Sequence, residues 1–342
     1  MRRSSVVLAV LGVLLIAAAA VTRFAIVPAG TKLPGDVDTT VHYAGKGSAL
    51  NASAILGGNP ANAIARNVDM TLDSHFKVTR TDGDTAVVHV DSTLSGAGTP
   101  IADNHVYAID RRTLTEAAAP AGEQVEKHSG LTIAFPVDPK ADNSYKYYDP
   151  TTQTSPTLTF AGTDTKGGRA VNHYTAQATG PVKDSKLSAT LPPVLPKALA
   201  TQLLPLLPAD LQARLAPLAA QLPDLLPLTY TATAKYDLYA DTKLGAPIES
   251  ATQRTITANV SLGAQTIPLL PVLDVNLTQT PASVQELADR VNSDATKLAL
   301  LGTWLPLAAL IIGVLLIGLA VIRRKPATTP AAPAAEEPDP SE

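Results

Sequence analysis

Polar and apolar residues alternate most clearly from Val68 to Val78. Val68, Met70, Leu72, Phe76 and Val78 fall on one side, and Asp69, Thr71, Asp73, His75 and Lys77 on the other. A period of two is the signature of a strand with one wet face. Thr81-Asp82-Gly83-Asp84 follows, and Asp-Gly is a hairpin signal, so Thr85 to Leu94 is expected to return as the partner strand. The same period recurs over Thr229–Tyr239 and Thr255–Leu262, with shorter strands expected at 39–43, 105–110, 131–135, 157–160 and 170–178. β-Branched Thr and Val throughout suit a pleated surface. The expected body is a large antiparallel sheet or barrel-like domain built from meanders.

The period changes between 191 and 228. Leu recurs at 191, 195, 199, 203, 207, 211 and 215, then at 218 and 222, which is helical spacing. Eight prolines cut this tract into short helices, because proline fits only a first turn or a kink. One expectation is a small helical insert over 191–228 packed on the sheet. The other is an apolar surface for lipid or another apolar ligand, with Leu203, Leu204, Leu207, Leu211 and Leu215 as the contact residues. Residues 281–297 read as a juxtamembrane helix. Ser283-Val-Gln-Glu286 suggests a capping box, and Val284, Leu287, Ala288, Val291 and Ala295 form an apolar stripe.

Both ends carry apolar runs. Arg2 and Arg3 precede Val6–Val21, and the helix can extend to Val27 if Arg23 reaches the interface. A retained anchor over 6–27 and a cleaved signal peptide, with Ala17–Ala20 as the small-residue site, are both open readings. Leu298–Ile322 is uncharged, begins near Trp304, contains Pro306 and ends at Arg323, Arg324 and Lys325. That is a spanning helix with an interfacial aromatic and a basic exit. The positive-inside rule puts residues 1–5 and 323–342 in the cytoplasm, the latter as a disordered Ala/Pro/acidic tail, and residues 28–297 outside the cell membrane.

Composition then narrows the chemistry. The chain has 342 residues, a formal charge of −3 and 4% aromatic residues. A nucleic-acid partner is therefore not expected. Zero cysteine excludes disulfides, thiolate metal sites and a thiol nucleophile. No phosphate loop, nucleophile elbow, zinc-protease helix or dinucleotide fingerprint is present. No catalytic residue, metal or cofactor is assigned, and the protein is expected not to be an enzyme. His75 and His89 read as solvated strand residues, Asp82 and Asp84 as turn formers. Asp138, Asp142 and Asp149 read as loop residues around Tyr145, Tyr147 and Tyr148.

Four short motifs occur in order: Tyr107-Ala-Ile-Asp-Arg-Arg-Thr113, Phe135-Pro136, Tyr145-Lys-Tyr-Tyr-Asp149 and Phe160-Ala-Gly162. With the two terminal anchors, they make the chain resemble the actinobacterial envelope proteins of the porin PorA-like family. Tyr148 stands where that pattern has Trp. The resemblance implies no catalytic residues. The layout of two anchors around a β-rich domain is also similar to that of scavenger receptors of class B. The leading expectation is an envelope protein that binds or transfers lipid or other apolar material. A pore or pore-associated protein, and a scaffold that meets an envelope protein or a second copy of itself, are the alternatives.

Overall fold

The computed structural model describes residues 3–26, 31–51, 54, 62–96, 98, 100–207, 209–215, 223–262 and 265–323. They form two compact units, one from the chain ends and one spanning Gly30–Ala295. The expected tail after Lys325 lies outside the described residues, as do Arg2, Arg324 and Lys325.

The larger unit is a single ten-stranded antiparallel sheet. Its strands are β1 (Asp38–Leu50), β2 (Ile64–Asp82), β3 (Thr85–Ser95), β4 (Ile101–Asp110), β5 (Thr159–Lys166), β6 (Arg169–Pro181), β7 (Val194–Pro196), β8 (Leu225–Asp241), β9 (Pro247–Leu262) and β10 (Gln265–Gln279). The order is β4-β3-β2-β1-β10-β9-β8-β6-β5, with the short β7 paired to β8. Two meanders therefore meet at a β1–β10 seam, and β4 and β5 are the edges. The sheet is open, so of the two expected forms the open sheet is the one found.

The alternation read from the sequence sets the faces. In β2, Met70 and Val78 are buried while Asp69, Thr71, Asp73 and Lys77 are exposed. Gly83 adopts φ +57° in the two-residue turn between Asp82 and Thr85, a conformation that costs a glycine little. Residues Val78, Val88 and Ile109 of β2–β4 share one buried cluster with Tyr174 of β6 and Ala240 of β8. Strands so far apart in the order can share a core only if the sheet curls. The connection 111–158 fills its hollow with Leu131, Phe135, Tyr148 and Leu158. The strand expected at 131–135 is reduced there to one bridge, Leu131 to Tyr147.

That connection also covers the β4 edge. Glu126 donates its backbone N–H to the Val106 carbonyl at 2.7 Å, and Ala117 donates to Ala108 at 2.9 Å. Pairing an edge in this way removes a template for aggregation. Asp110 accepts from the backbone of Arg112 and Thr113, turning the chain off β4. Arg111 then ties the β2–β3 turn, through Gly83, to Leu33.

A central strand, β10, carries no expectation from the sequence, because Pro268 and Pro271 argue against one. The register gives the reason they are tolerated. β1 pairs with β10 only over Leu273–Gln279, so both prolines fall where β10 has one neighbour. Along the seam Gly45 faces Leu277, and a Cβ at Gly45 would lie 1.9 Å from the Asn276 carbonyl oxygen.

The Leu/Pro tract forms short helices, as expected. They are α3 (Lys197–Leu203), a 3-10 turn at Leu204–Leu206 and α4 (Ala209–Leu215), while α2 (Ser185–Thr190) lies just before the tract. Leu207 and Leu211 pack on Leu226, Val260, Ile267 and Leu269 at one end of β8–β10. The tract is thus a helical cover for that end of the sheet.

Helix α5 (Pro281–Ala299) lays Val284, Ala288 and Val291 on Val171 and Ile248. Its start corrects the capping-box reading. Thr280, not Ser283, caps it, accepting from the Ser283 N–H at 3.3 Å, and the Ser283 hydroxyl instead accepts from the His42 N–H. The helix runs straight on into the apolar segment. It passes through a π-helical stretch at Leu300–Trp304 into α6 (Leu305–Ile322), one helix over Pro281–Ile322. The π-helical stretch ends just before Pro306, whose ring cannot donate to the regular ladder.

In the smaller unit, α1 (Arg3–Val21) packs against α6. A Cβ at Gly12 would meet the Gly313 carbonyl and Ile317, and one at Gly313 would meet the Gly12 carbonyl and Ile16. These pairs fit only antiparallel helices, brought close where side chains are absent. α6 is long and apolar enough to cross a membrane, while the N-terminal apolar stretch is shorter, over Val10–Phe24.

The seam gives a direct test. Gly45→Ala should destabilise the protein by about 1–3 kcal/mol, the range for forced overpacking. Gly180→Ala, whose Cβ would sit 3.6 Å from Thr152, should change little. Urea unfolding of both variants against wild type measures the difference.

Candidate functional site

The hollow of the sheet is not uniformly apolar. On β9 the inward face carries Thr252 and Arg254, and then Ile256, Ala258 and Val260. On β4 the inward face carries Asp103 and His105, and then Tyr107 and Ile109. A polar layer therefore lies inside an otherwise apolar interior.

One half of the layer centres on Asp149, which is fully buried. The Tyr236 hydroxyl donates to its Oδ1 at 2.6 Å, and the Thr152 N–H donates to its Oδ2 at 2.9 Å. The Arg254 guanidinium stands 3.7 Å from Oδ1 and also donates to the Tyr236 hydroxyl at 3.3 Å. Burial holds the Tyr236 hydroxyl well above its ordinary pKa. Tyr147 packs edge-on against Tyr236 at 4.9 Å, and the Tyr43 hydroxyl contacts Ser250 Oγ at 2.8 Å.

The other half centres on His105. Its Nδ1 lies 2.6 Å from Glu126 Oε2, and its Nε2 lies 2.7 Å from Asp103 Oδ1. Burial alone would lower the imidazole pKa, but Asp103 and then Glu126 outweigh it and lift it to about 9. Lys186 Nζ donates to Glu126 Oε1 at 3.0 Å and to the Asn104 carbonyl, which fixes Glu126 from its other side. Asp184 caps α2 by accepting from the Lys186 N–H at 2.9 Å, and its own N–H reaches the Thr151 carbonyl. Aromatic rings line the layer: Tyr107 stacks on His105 and meets His128 and Tyr148 edge-on.

Four buried side-chain atoms of this layer have no hydrogen-bond or ion-pair partner, Thr151 Oγ1, Asp184 Oδ2, Thr252 Oγ1 and Arg254 Nε, while Asp103 Oδ1 and His105 Nε2 have only each other. Buried polar atoms are nearly always satisfied, so such a concentration marks a place for a polar occupant.

Little of this layer is legible in the sequence. Asp138 and Asp142 stay in the loop, and Asp142 caps Ser144 as a turn former does. Asp149 makes its turn contact but is also an interior anion, and the three carboxylates do not converge. His75 pairs with Asp38 at 2.7 Å on the wet face, and His89 lies opposite Lys77. Asp103 and His105 were missed, although their i, i+2 spacing in phase with Tyr107 and Ile109 places them on the buried face. Among the residues expected to contact lipid, Leu203, Leu207 and Leu211 are turned into the core, Leu204 is partly buried, and the Leu215 side chain lies outside the described residues. At the membrane flanks, Trp304 and Arg323 are exposed.

The fold and site define a mainly β protein, an open curled sheet around an aromatic and polar interior, joined to an apolar C-terminal helix. The chain belongs to the Porin PorA family, whose model matches residues 4–322. No curated protein matches it. Among solved structures, that of a putative MaoC domain protein dehydratase from Chloroflexus aurantiacus J-10-fl is 12% identical over 79% of this chain and 80% of that one. Its TM-score of 0.13 carries no argument. The aromatic residues of the motifs that suggested the family face the interior. Phe135 stacks on Tyr174 at 4.6 Å, Phe160 meets the same ring edge-on, and Tyr107, Tyr148 and Asp149 belong to the layer just described.

Removing one partner of the buried pair tests its weight. Asp149→Ala should cost about 3–5 kcal/mol, because the Tyr236 hydroxyl and the Thr152 N–H lose a buried charged acceptor and the half-buried Arg254 loses its anion. Tyr236→Phe should cost about 1.5–3 kcal/mol, the range for a hydrogen bond to a charged group. Denaturant midpoints at constant m-value check both.

Proposed function

We propose that this is an envelope protein held by two membrane helices, whose sheet stands outside the bilayer as a binding domain and not as a barrel wall. The division of apolar surface supports this reading. Among the described residues, the exposed large apolar side chains lie on α1, α6 and the π-helical stretches beside them, with only Val194 and Leu225 elsewhere. The sheet instead turns Asp69, Thr71, Asp73 and Lys77 outward. A membrane barrel needs a closed sheet and an outer apolar band, while this sheet has two unjoined edges and a filled hollow. The antiparallel contact of α1 with α6 fits two spans, and the basic residues at both ends favour a topology with both termini in the cytoplasm. Conduction in the sense of the family name would run between helix pairs of several copies.

A second reading concerns the cargo. The Leu/Pro tract covers apolar residues of β8–β10 with short, proline-broken segments. A cover of that kind can lift more easily than a strand, and lifting it would open an apolar groove for a lipid chain.

The absence of cysteine gives a clean topology assay. Thr71→Cys should react with an impermeant maleimide on intact cells, and Ser341→Cys only after permeabilisation; the reverse pattern would overturn the two-span reading. For the cargo, native mass spectrometry of the detergent-purified chain should find a co-purifying lipid that is lost in Leu207→Lys, with folding of the variant checked by circular dichroism. A lipid-free wild type removes the cargo reading and leaves the topology untouched.

A further inference from the structure

We propose that Asp103, His105 and Asp184 form a binding site for a first-row divalent metal ion of the zinc class. The site is independent of the membrane topology and of any apolar cargo. One ligand atom from each residue lies within 4.8 Å of the other two. His105 and Asp184 are each only 5% exposed, and Asp184 aims its unpartnered Oδ2 into the space where His105 Nε2 and Asp103 Oδ1 meet. Asp103 Oδ1 and His105 Nε2 form an ion pair at 2.7 Å, which an entering cation would replace with bonds to itself.

The surroundings are those of a metal site. Glu126 engages the other imidazole nitrogen, which leaves Nε2 as the donor and gives the carboxylate–histidine–metal arrangement that orients ligands elsewhere. Asp184 is fixed by capping α2, and Glu126 by Lys186. One imidazole with two carboxylates favours zinc-class ions over calcium or magnesium, which prefer all-oxygen sets. The Asp103 side chain is 27% exposed and that of Glu126 is 37% exposed, which leaves a path from solvent.

The full chain, purified in detergent and stripped with chelator, should take up one equivalent of Zn2+ by calorimetry and elemental analysis. His105→Gln and Asp184→Asn should each weaken binding at least ~10-fold, and Glu126→Gln by about 10–100-fold. Thermal melts by circular dichroism verify that the variants fold. Bound Co2+ should show a ligand-field spectrum distinct from that of aqueous cobalt. That readout needs only wild-type protein, so an aqueous-type spectrum overturns the proposal even if every variant misfolds. Zn2+ uptake unchanged by the His105 and Asp184 substitutions, or tighter binding of Mg2+ or Ca2+ than of Zn2+, overturns it as well.

Discussion

An open sheet that curls must satisfy two edges and fill one hollow, and in this protein the connection 111–158 serves both needs. It pairs along the free side of β4 through Ala117 and Glu126. It also sends Leu131, Phe135, Tyr148 and Leu158 into the space between β2–β4 and β6–β8. Backbone groups at an edge and apolar side chains in a cavity are each costly when left to water. Joining the two tasks in one segment explains how a stretch almost devoid of regular structure still buries Leu131, Phe135, Tyr148 and Leu158. It also fixes the position of everything inside, because Glu126, Tyr147 and Asp149 all come from it.

The sheet was legible wherever one face is wet. β2, β3, β8 and β9 show their period because Asp, Thr and Lys alternate with apolar residues. β10 was hidden by Pro268 and Pro271, since the sequence does not reveal that β1 pairs only beyond them. The short helices of the Leu/Pro tract were readable from spacing and proline positions. Their inward orientation depends on the ends of β8–β10, which no local pattern encodes. Residues 131–135 looked like a strand because apolar residues dominate there. They are instead held by backbone bonds to Lys146 and Gly245 and by Phe135 stacking on Tyr174, so tertiary packing overrode local propensity.

The interior site was the least legible part. A histidine in a strand next to acidic residues is common on a solvated face, and only the phase with Tyr107 and Ile109 distinguishes His105. The partners Glu126 and Asp184 come from segments far away in sequence, and their convergence is a product of the curl. Likewise, Asp149 and Arg254 are joined only by the fold. The aromatic motifs that marked the family were legible as motifs, yet their meaning as the lining of a polar layer needed the three-dimensional arrangement.

The seam between β1 and β10 has a consequence for the order of assembly. The strand nearest the N-terminus and the last strand of the sheet are neighbours at its middle. Synthesis from the N-terminus therefore completes one meander, β1–β4, long before the partner of β1 exists. During that interval the side of β1 carrying Gly45 and Gly47 stays unpaired, and sheet closure waits for residues 265–279. Contacts this distant in sequence form slowly, and an exposed strand edge is a site for wrong partners. Protection of nascent chains in this window, by a chaperone or by early seating of α1 in the membrane, would govern yield more than the stability of the finished fold.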